Sequence, residues 1–279
     1  CLQKEGESKE DTINGVSVRR LSLGRKRAGQ LRYIFEYFAF TLLAFINLSI
    51  RPLSRHYDVV HVHNMPDFLV FTALLPRLTG SKIVLDLHDP TPEVYMAKYS
   101  MGPEHPVVRV LKFLEKISIR YAHLVLTPNI AFRNLFVGRG CPEKKIHIVM
   151  NSPDPAIFRE IHAGGNGGAE SNQSTLRLMY HGTVVERHGL QTALDALPIL
   201  RSEGLNVIFD VYGEGDYVET FIRLVEEKKL ADSVHYHGHV SLDDIPSEIA
   251  KCDIGLIPNM RTEFTEINFP TRIFEYLSM

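Results

Sequence analysis

From residue 57 onward, short apolar runs alternate with longer segments whose apolar positions recur every three or four residues. YDVVHVH (57–63), KIVLDLH (82–88), HLVLTPN (123–129) and KIHIVMN (145–151) have the length and apolar density of buried parallel strands. A helix-like stretch over Pro66–Thr79 joins the first two, making the βαβ crossover that parallel strands require. Across residues 106–121, Val107, Val110, Leu111, Leu114 and Ile117 fall on one face. Arg109, Lys112, Lys116 and Arg120 fall on the other, which predicts an amphipathic surface helix. GGNGGAESNQST (164–175) is glycine-rich and polar, with nothing to bury, and reads as a flexible linker. The alternation then restarts: LRLMYHG (176–182), a helix over Leu190–Ser202, NVIFDVYGEG (206–215) and a helix over Tyr217–Lys229. SVHYHG (233–238), a short helix near Ser241–Lys251 and DIGLIPN (253–259) follow. The pattern predicts an α/β protein of two doubly wound, Rossmann-like domains: residues 1–163, a linker at 164–175, and residues 176–279.

The hydrophobic fraction of 44% and charged fraction of 23% are those of a globular protein. With 31 Lys and Arg against 33 Asp and Glu, a strongly basic nucleic-acid binder is disfavoured. Cys1, Cys141 and Cys252 are far apart and form no CxxC pair. That argues against a disulfide framework or zinc ribbon and fits a reducing, cytoplasmic setting. Basic residues concentrate early: residues 1–56 hold ten Lys and Arg against five Asp and Glu. YFAFTLLAFINLSI (37–50) is too short to span a bilayer, which takes about 20 residues, and being apolar nearly all round it reads as a buried helix. Joined to Arg19, Arg20, Arg25, Lys26, Arg27 and Arg32, it reads alternatively as a patch for anionic lipid at the inner face of a membrane. The chain opens on Cys1 in a polar run without a signal peptide and stops inside a helical pattern, so the expectation is an internal piece of a longer protein.

Open α/β sheets bind ligands at the carboxyl ends of their strands. Residues just past each run are therefore candidates: His63, Asn64, His88, Asp89, Thr127, Asn129, Asn151 and Ser152 in the first half. In the second half they are Gly182, Thr183, Gly213, Glu214, Gly215, Gly238, His239, Pro258 and Asn259. Gly213 and Gly215 in YGEGD permit close backbone approach but do not complete GxGxxG, and a plain strand-to-helix turn explains them equally well. No Walker A pattern occurs. His235, His237 and His239 alternate and would share one strand face, yet a strand does not converge three side chains on one ion. No carboxylate or cysteine pattern supports zinc there, so the expectation is no metal. Pro270 suits a helix start, where unpaired N–H groups attract phosphate. Glu275, about a turn and a half further on, either holds a hydroxyl pair such as a ribose diol or is an ordinary helix carboxylate.

DVVHVHNMPDF, KIVLDLHDPTPE, YHGTVVERHGLQTALDAL, VYGEGDY, VHYHGHV, CDIGLIPN and FPTRIFEYLSM, in that order and spacing, resemble family-4 retaining glycosyltransferases of the GT-B fold from about Asp58 onward. The resemblance implies two Rossmann-like domains facing across a cleft. A UDP- or GDP-linked sugar donor would bind mainly on the second, and a glycan or lipid-linked acceptor mainly on the first. It implies metal-independent transfer with retention, consistent with the lack of any D-x-D triplet, and no cofactor. By position, His88 matches a histidine beside the donor sugar and Glu275 the second glutamate of E-x7-E. Gly182, Thr183, His188, Gly213, Gly215, Asn259, Pro270 and Thr271 match donor-binding positions, and His63, Asn64 and Asp89 the acceptor side. The chain departs at Ile267, where the first glutamate is expected, and at Thr183 and His188, where an Arg and a Lys usually hold the diphosphate. Arg187, with His188, is expected to supply that charge. The family's first strand and its segments past the glutamate helix lie outside this sequence, so the 279 residues alone are expected to be inactive. A GT-B sugar-nucleotide epimerase and a non-catalytic nucleotide-binding relative remain alternatives.

Overall fold

A computed structural model describes residues 6–21, 30–50, 56–159 and 175–279. The chain forms two compact units, residues 1–150 and 151–279. The expected linker lies outside the described residues apart from Thr175, as do Arg25, Lys26, Arg27 and the side chain of Arg32. Phe158, assigned by sequence to the first domain, is buried against Met179, Tyr212, Ile245 and Ile249 of the second unit. The observed boundary therefore precedes the glycine-rich segment, because a buried aromatic anchors the chain ahead of it.

The first unit opens with a hairpin absent from the sequence reading: β1 (Glu10–Ile13) pairs antiparallel with β2 (Val16–Arg19). Asn14 and Gly15 both have positive φ, 51° and 80°, as a two-residue Asn-Gly turn requires. Helix α1 (Gln30–Ile50) follows. The sheet is parallel, in the order β3 (Val59–His63), β4 (Lys82–Asp86), β5 (Leu124–Thr127) and β6 (Ile146–Ile148). Ile83, Leu85 and Val125 are fully buried, whereas β3, expected to be buried, is an edge strand among the described residues with Val59 exposed.

The helix expected over 66–79 is two pieces, a 3-10 helix (Asp67–Ala73) and α2 (Leu74–Leu78). Pro76 has no N–H to bond back to residue 72, so a continuous α-helix is broken there. Helices α3 (Thr91–Tyr99), α4 (Pro106–Tyr121) and α5 (Ile130–Gly138) complete the unit. On α4 the buried line is Val108, Glu115, Ser118 and Ile119, while Val107 and Val110 are exposed. The helix is rotated from the expected face because Glu115 is drawn inward to Arg139 (2.9 Å).

The second unit is a parallel sheet in the order β10 (Ile254–Gly255), β7 (Thr175–His181), β8 (Asn206–Tyr212) and β9 (Val234–Gly238). Helices α6 (Leu190–Ser202), α7 (Val218–Glu227), α8 (Ile245–Ile249) and α9 (Arg272–Leu277) accompany it. Tyr180, Leu190, Leu194, Phe209, Val211 and Phe221 are fully buried in one cluster. Each such side chain contributes about 1.5–3 kcal/mol of burial energy. The continuous buried runs that end β7 and β8 thus fix the strand ends that carry the polar residues described next. Among the described residues no helix is long and apolar enough to cross a membrane.

Candidate functional site

In the second unit the loops after β7 and β8 lie against each other. Gly182 N–H donates to Tyr212 O, and Val184 N–H to Glu214 O, both at 2.9 Å. A Cβ at Gly213 would overlap the carbonyl oxygen of Gly182, and one at Gly215 that of Val184. Gly213 also has a φ of +134°, so this glycine pair serves backbone contact between loops. Gly189, at φ +70°, fits against the Pro258 carbonyl in the same way. Beside these loops is a cavity of about 380 Å³. It is lined by His181, Gly182, Thr183, Tyr212, Glu214 and His239, with Val240, Leu242 and Ile245 as its apolar wall.

Polar atoms around these strand ends lack partners. His181 Nε2, Gln191 Oε1, Asn259 Oδ1 and Arg272 Nη1 are all buried without a hydrogen bond. Buried polar groups are normally satisfied, so these four stand out beside the glycine-lined loops, as Ser49, Ser118 and Tyr121 do in the first unit. His181 Nε2 lies 3.3 Å from Glu275 Oε2 but is not aligned for a hydrogen bond. Burial, aided by Arg272, pushes His181 down to about 4. Burial raises the Glu275 carboxyl, with Arg272 opposing. His188 Nδ1 lies 2.7 Å from Thr183 O and 2.8 Å from the Tyr180 hydroxyl. Burial, with Arg272 and Arg187 adding to it, holds His188 at about 4 against its bond to Thr183.

His188 is thus neutral at pH 7, so cationic charge in this neighbourhood belongs to guanidinium groups. Pro270 and Thr271 lead into α9 as expected, but this helix has only six residues, and Thr271 makes no side-chain cap bond. Arg272 was not singled out in the sequence. The only available signal was its place one turn before Glu275.

On β9, His235 and His237 turn to one carboxylate, Asp210 on β8: His237 Nε2 is 2.8 Å and His235 Nδ1 3.4 Å from Asp210 Oδ1. This supplies the carboxylate that no sequence pattern revealed, because Asp210 reaches them only through strand register. Arg177 already occupies its other oxygen at 2.9 Å, so Asp210 is charge-balanced without an ion. His239 is not part of this group and lines the cavity.

In the first unit, Asp86 Oδ2 is surrounded by His61 Nε2 (3.1 Å), His63 Nδ1 (3.4 Å) and His88 Nε2 (3.5 Å). His63 and His88 are also 2.7 Å apart through ring nitrogens. Their rings stack at 9°, and His61 stacks on His63 at 21°. His61 bonds Asp86 directly, and His61, His63 and Asp86 place their ligand atoms within 4.8 Å of one another, close enough to share a metal ion. Burial and the neighbouring imidazoles lower His63, with Asp86 opposing. Asn64 ties the two strand ends together. Its Oδ1 accepts from His88 N–H (2.9 Å), and its Nδ2 donates to Asp67 (3.0 Å) and Asp89 O (2.6 Å). Thr127 and Asn129 use their polar atoms on backbone, bonding Leu87 O and Phe132 N–H.

Sequence reasoning also missed the buried support below this edge. Arg139 bonds both Glu93 and Glu115. Burial lifts Glu115 to about 8, and burial raises the nearby Asp67 as well, although Asn64 and Thr91 bond it.

Two parallel-sheet units with a polar, glycine-lined strand edge define a GT-B glycosyltransferase fold. The chain belongs to the glycosyl transferase 4-like domain family, whose model matches residues 1–152, and residues 175–279 match glycosyl transferases group 1. It is 29% identical over 106 residues to a GDP-mannose-dependent alpha-(1-6)-phosphatidylinositol monomannoside mannosyltransferase of Mycobacterium tuberculosis, covering 38% of this chain and 26% of that protein. It is 23% identical over 137 residues to the amylovoran biosynthesis glycosyltransferase AmsK of Erwinia amylovora, covering 49% and 32%. The chain thus spans about a third or less of these curated relatives. Among solved structures, HepE of Anabaena in complex with UDP superposes with a TM-score of 0.63 at 18% identity, covering 85% of this chain and 60% of that one. Sucrose-phosphate synthase of Thermosynechococcus elongatus gives 0.70 at 13%, covering 94% and 65%.

Proposed function

We propose that this protein transfers a sugar from a UDP- or GDP-linked donor to a glycan or lipid-linked acceptor, with retention of anomeric configuration. The observation that carries the reading is the group of unpartnered buried polar atoms, on His181, Asn259 and Arg272, around the glycine-lined loops of the second unit. The cavity beside these loops has the size of a small-molecule site. On this reading its apolar wall takes the nucleoside, Gly182, Thr183, Gly213 and Gly215 offer backbone to the donor, and Glu275 holds the ribose diol. Asn259 and the Pro270–Thr271 entry to α9 complete the donor set.

His88 acts as a hydrogen-bonding group toward the transferring sugar, with His63, Asn64 and Asp89 on the acceptor side. Transfer is front-face: the departing diphosphate helps accept the acceptor's proton. Catalysis then rests on positioning and on stabilising the leaving charge, without a metal. The site acts at the cytoplasmic face, held to anionic membrane by the apolar α1 and the basic residues before it.

Calorimetric titration of UDP, GDP and ADP into wild type and Glu275→Ala tests the donor site. One nucleotide is expected to bind, and the substitution to weaken it about tenfold, the loss of a charged hydrogen bond. No binding by wild type overturns the reading. EDTA is expected to leave transfer by the complete enzyme unchanged; loss restored by Mg or Mn refutes metal independence.

A further inference from the structure

The guanidinium of Arg272 lies at the turn that follows β7. Its Cζ stands 4.4 Å from the centroid of the Tyr180 ring. A Cβ on Gly182 would come within 2.8 Å of Nη2 and 3.0 Å of Cζ, so the guanidinium lies directly over this glycine, whose φ of +126° also favours glycine. Nη1 is buried with no hydrogen-bond partner, and among the described residues Arg272 has no carboxylate within ion-pair distance. A partly buried guanidinium fork resting on an aromatic face, with one buried unused donor and no carboxylate in ion-pair distance, is an incomplete anion site.

The surrounding groups give the same indication. His181 and His188 are held neutral by burial, and Arg272 contributes to both shifts. Burial raises the Glu275 carboxyl and Arg272 opposes that shift, without an ion pair between them among the described residues. Neither imidazole is positioned to carry positive charge at neutral pH, so the planar donor fork facing the Gly182 turn is that of Arg272.

From this we infer that Arg272 is the diphosphate-binding residue of the donor site, its guanidinium meeting phosphate oxygens across Gly182, on the side where Nη2 lies. The inference rests on the donor-site reading above and refines it: the expectation that Arg187 with His188 supplies this charge is replaced by Arg272. Bidentate guanidinium–phosphate geometry would supply the counter-ion that this partly buried arginine lacks.

The test compares binding of nucleoside, nucleoside monophosphate and nucleoside diphosphate to the 279-residue chain, for whichever base wild type selects. Arg272→Gln is expected to weaken the diphosphate about 10- to 100-fold and the nucleoside less than about twofold. Thr183→Arg, which places a guanidinium on the exposed side of the same turn, is expected to restore diphosphate affinity in the Arg272→Gln background. A brace on Tyr180 alone would not be rescued this way. Equal diphosphate affinity in wild type and Arg272→Gln overturns this inference while leaving the donor site standing. Equal losses for nucleoside and diphosphate also overturn it, since they mark a structural role. If wild type binds no nucleotide, the donor reading falls and takes this inference with it. Should Arg272→Gln fail to fold, Arg272→Lys is read by the same ratio. A lower diphosphate-to-nucleoside preference supports the inference, and an unchanged one overturns it.

Discussion

His181 and Glu275 face each other at 3.3 Å at the end of β7, and neither is in its ordinary protonation environment. Burial leaves His181 neutral down to about pH 4, and the same holds for His188. Folded values below the ordinary 6.5 mean that both histidines contribute stability above pH 6.5, and that it is lost as pH falls through 4. Urea unfolding of the chain at pH 7 and pH 5 is therefore expected to show lower stability at pH 5. His188→Gln, which keeps a polar group but cannot charge, is expected to reduce that difference. An identical pH 7 to pH 5 drop in the variant would show that His188 is not held neutral by the fold.

Glu115 predicts the opposite limb. It shares the Arg139 guanidinium with Glu93 and sits near Asp67, so three acids surround one base. Its folded value of about 8 lies above the ordinary 4.5, so its stabilising contribution is full below 4.5 and disappears as pH rises through 8. Wild type is expected to lose stability between pH 6 and pH 9, and Glu115→Gln to lose less. Arg139→Met, which leaves the acids without a counter-charge, is expected to cost about 3–5 kcal/mol near neutral pH. A Glu115→Gln curve parallel to wild type would place the ionisation elsewhere.

These elements also show where local sequence suffices. The helix Leu190–Ser202 is bounded as the pattern predicts, because Gly189 adopts a left-handed φ ahead of it and Leu190, Leu194 and Leu197 share a buried face. Gly182, Gly213 and Gly215 are recognisable as loop glycines from their place after apolar runs. The hairpin at Asn14–Gly15 is missed because its strands are short, polar and exposed, although the Asn-Gly pair is itself a turn signal. The α4 face is misread because Glu115 counts as polar in a pattern but is buried in the core, where it bonds Arg139. Asp210 and Arg272 are missed for a shared reason: each meets its neighbours through strand register or chain return, 25 or more residues away, and periodicity carries no such information.

Helix α1 carries Phe38, Leu42, Ile46 and Ile50 at four-residue spacing, all exposed. The expectation of a fully buried helix is corrected here: one stripe faces outward among the described residues. If this stripe enters a lipid surface, Phe38→Glu with Ile46→Glu removes apolar contact and adds repulsion from anionic headgroups. Wild type is expected to sediment with vesicles rich in anionic lipid and to be released by high salt. The double variant is expected to remain in the supernatant while retaining nucleotide binding, since α1 lies in the other unit. Equal sedimentation of both proteins, or none by wild type, refutes the membrane contact.

Gly213 and Gly204 separate two meanings of a left-handed glycine. Both have positive φ, +134° and +83°, but a Cβ at Gly204 meets nothing within 4 Å, whereas one at Gly213 overlaps the Gly182 carbonyl. Gly204→Ala therefore bears only backbone strain, about 1 kcal/mol. Gly213→Ala bears comparable strain and must also push the Gly182 turn away from Arg272, opening the Gly182–Tyr212 bond of 2.9 Å. The expected outcome is a loss of about 2–4 kcal/mol in unfolding free energy for Gly213→Ala, accompanied by weakened nucleotide binding. Gly204→Ala is expected to bind nucleotide as wild type does. Similar binding by the two variants would mean that the contact between the two loops does not shape the donor site, and that the glycine at 213 serves backbone conformation alone.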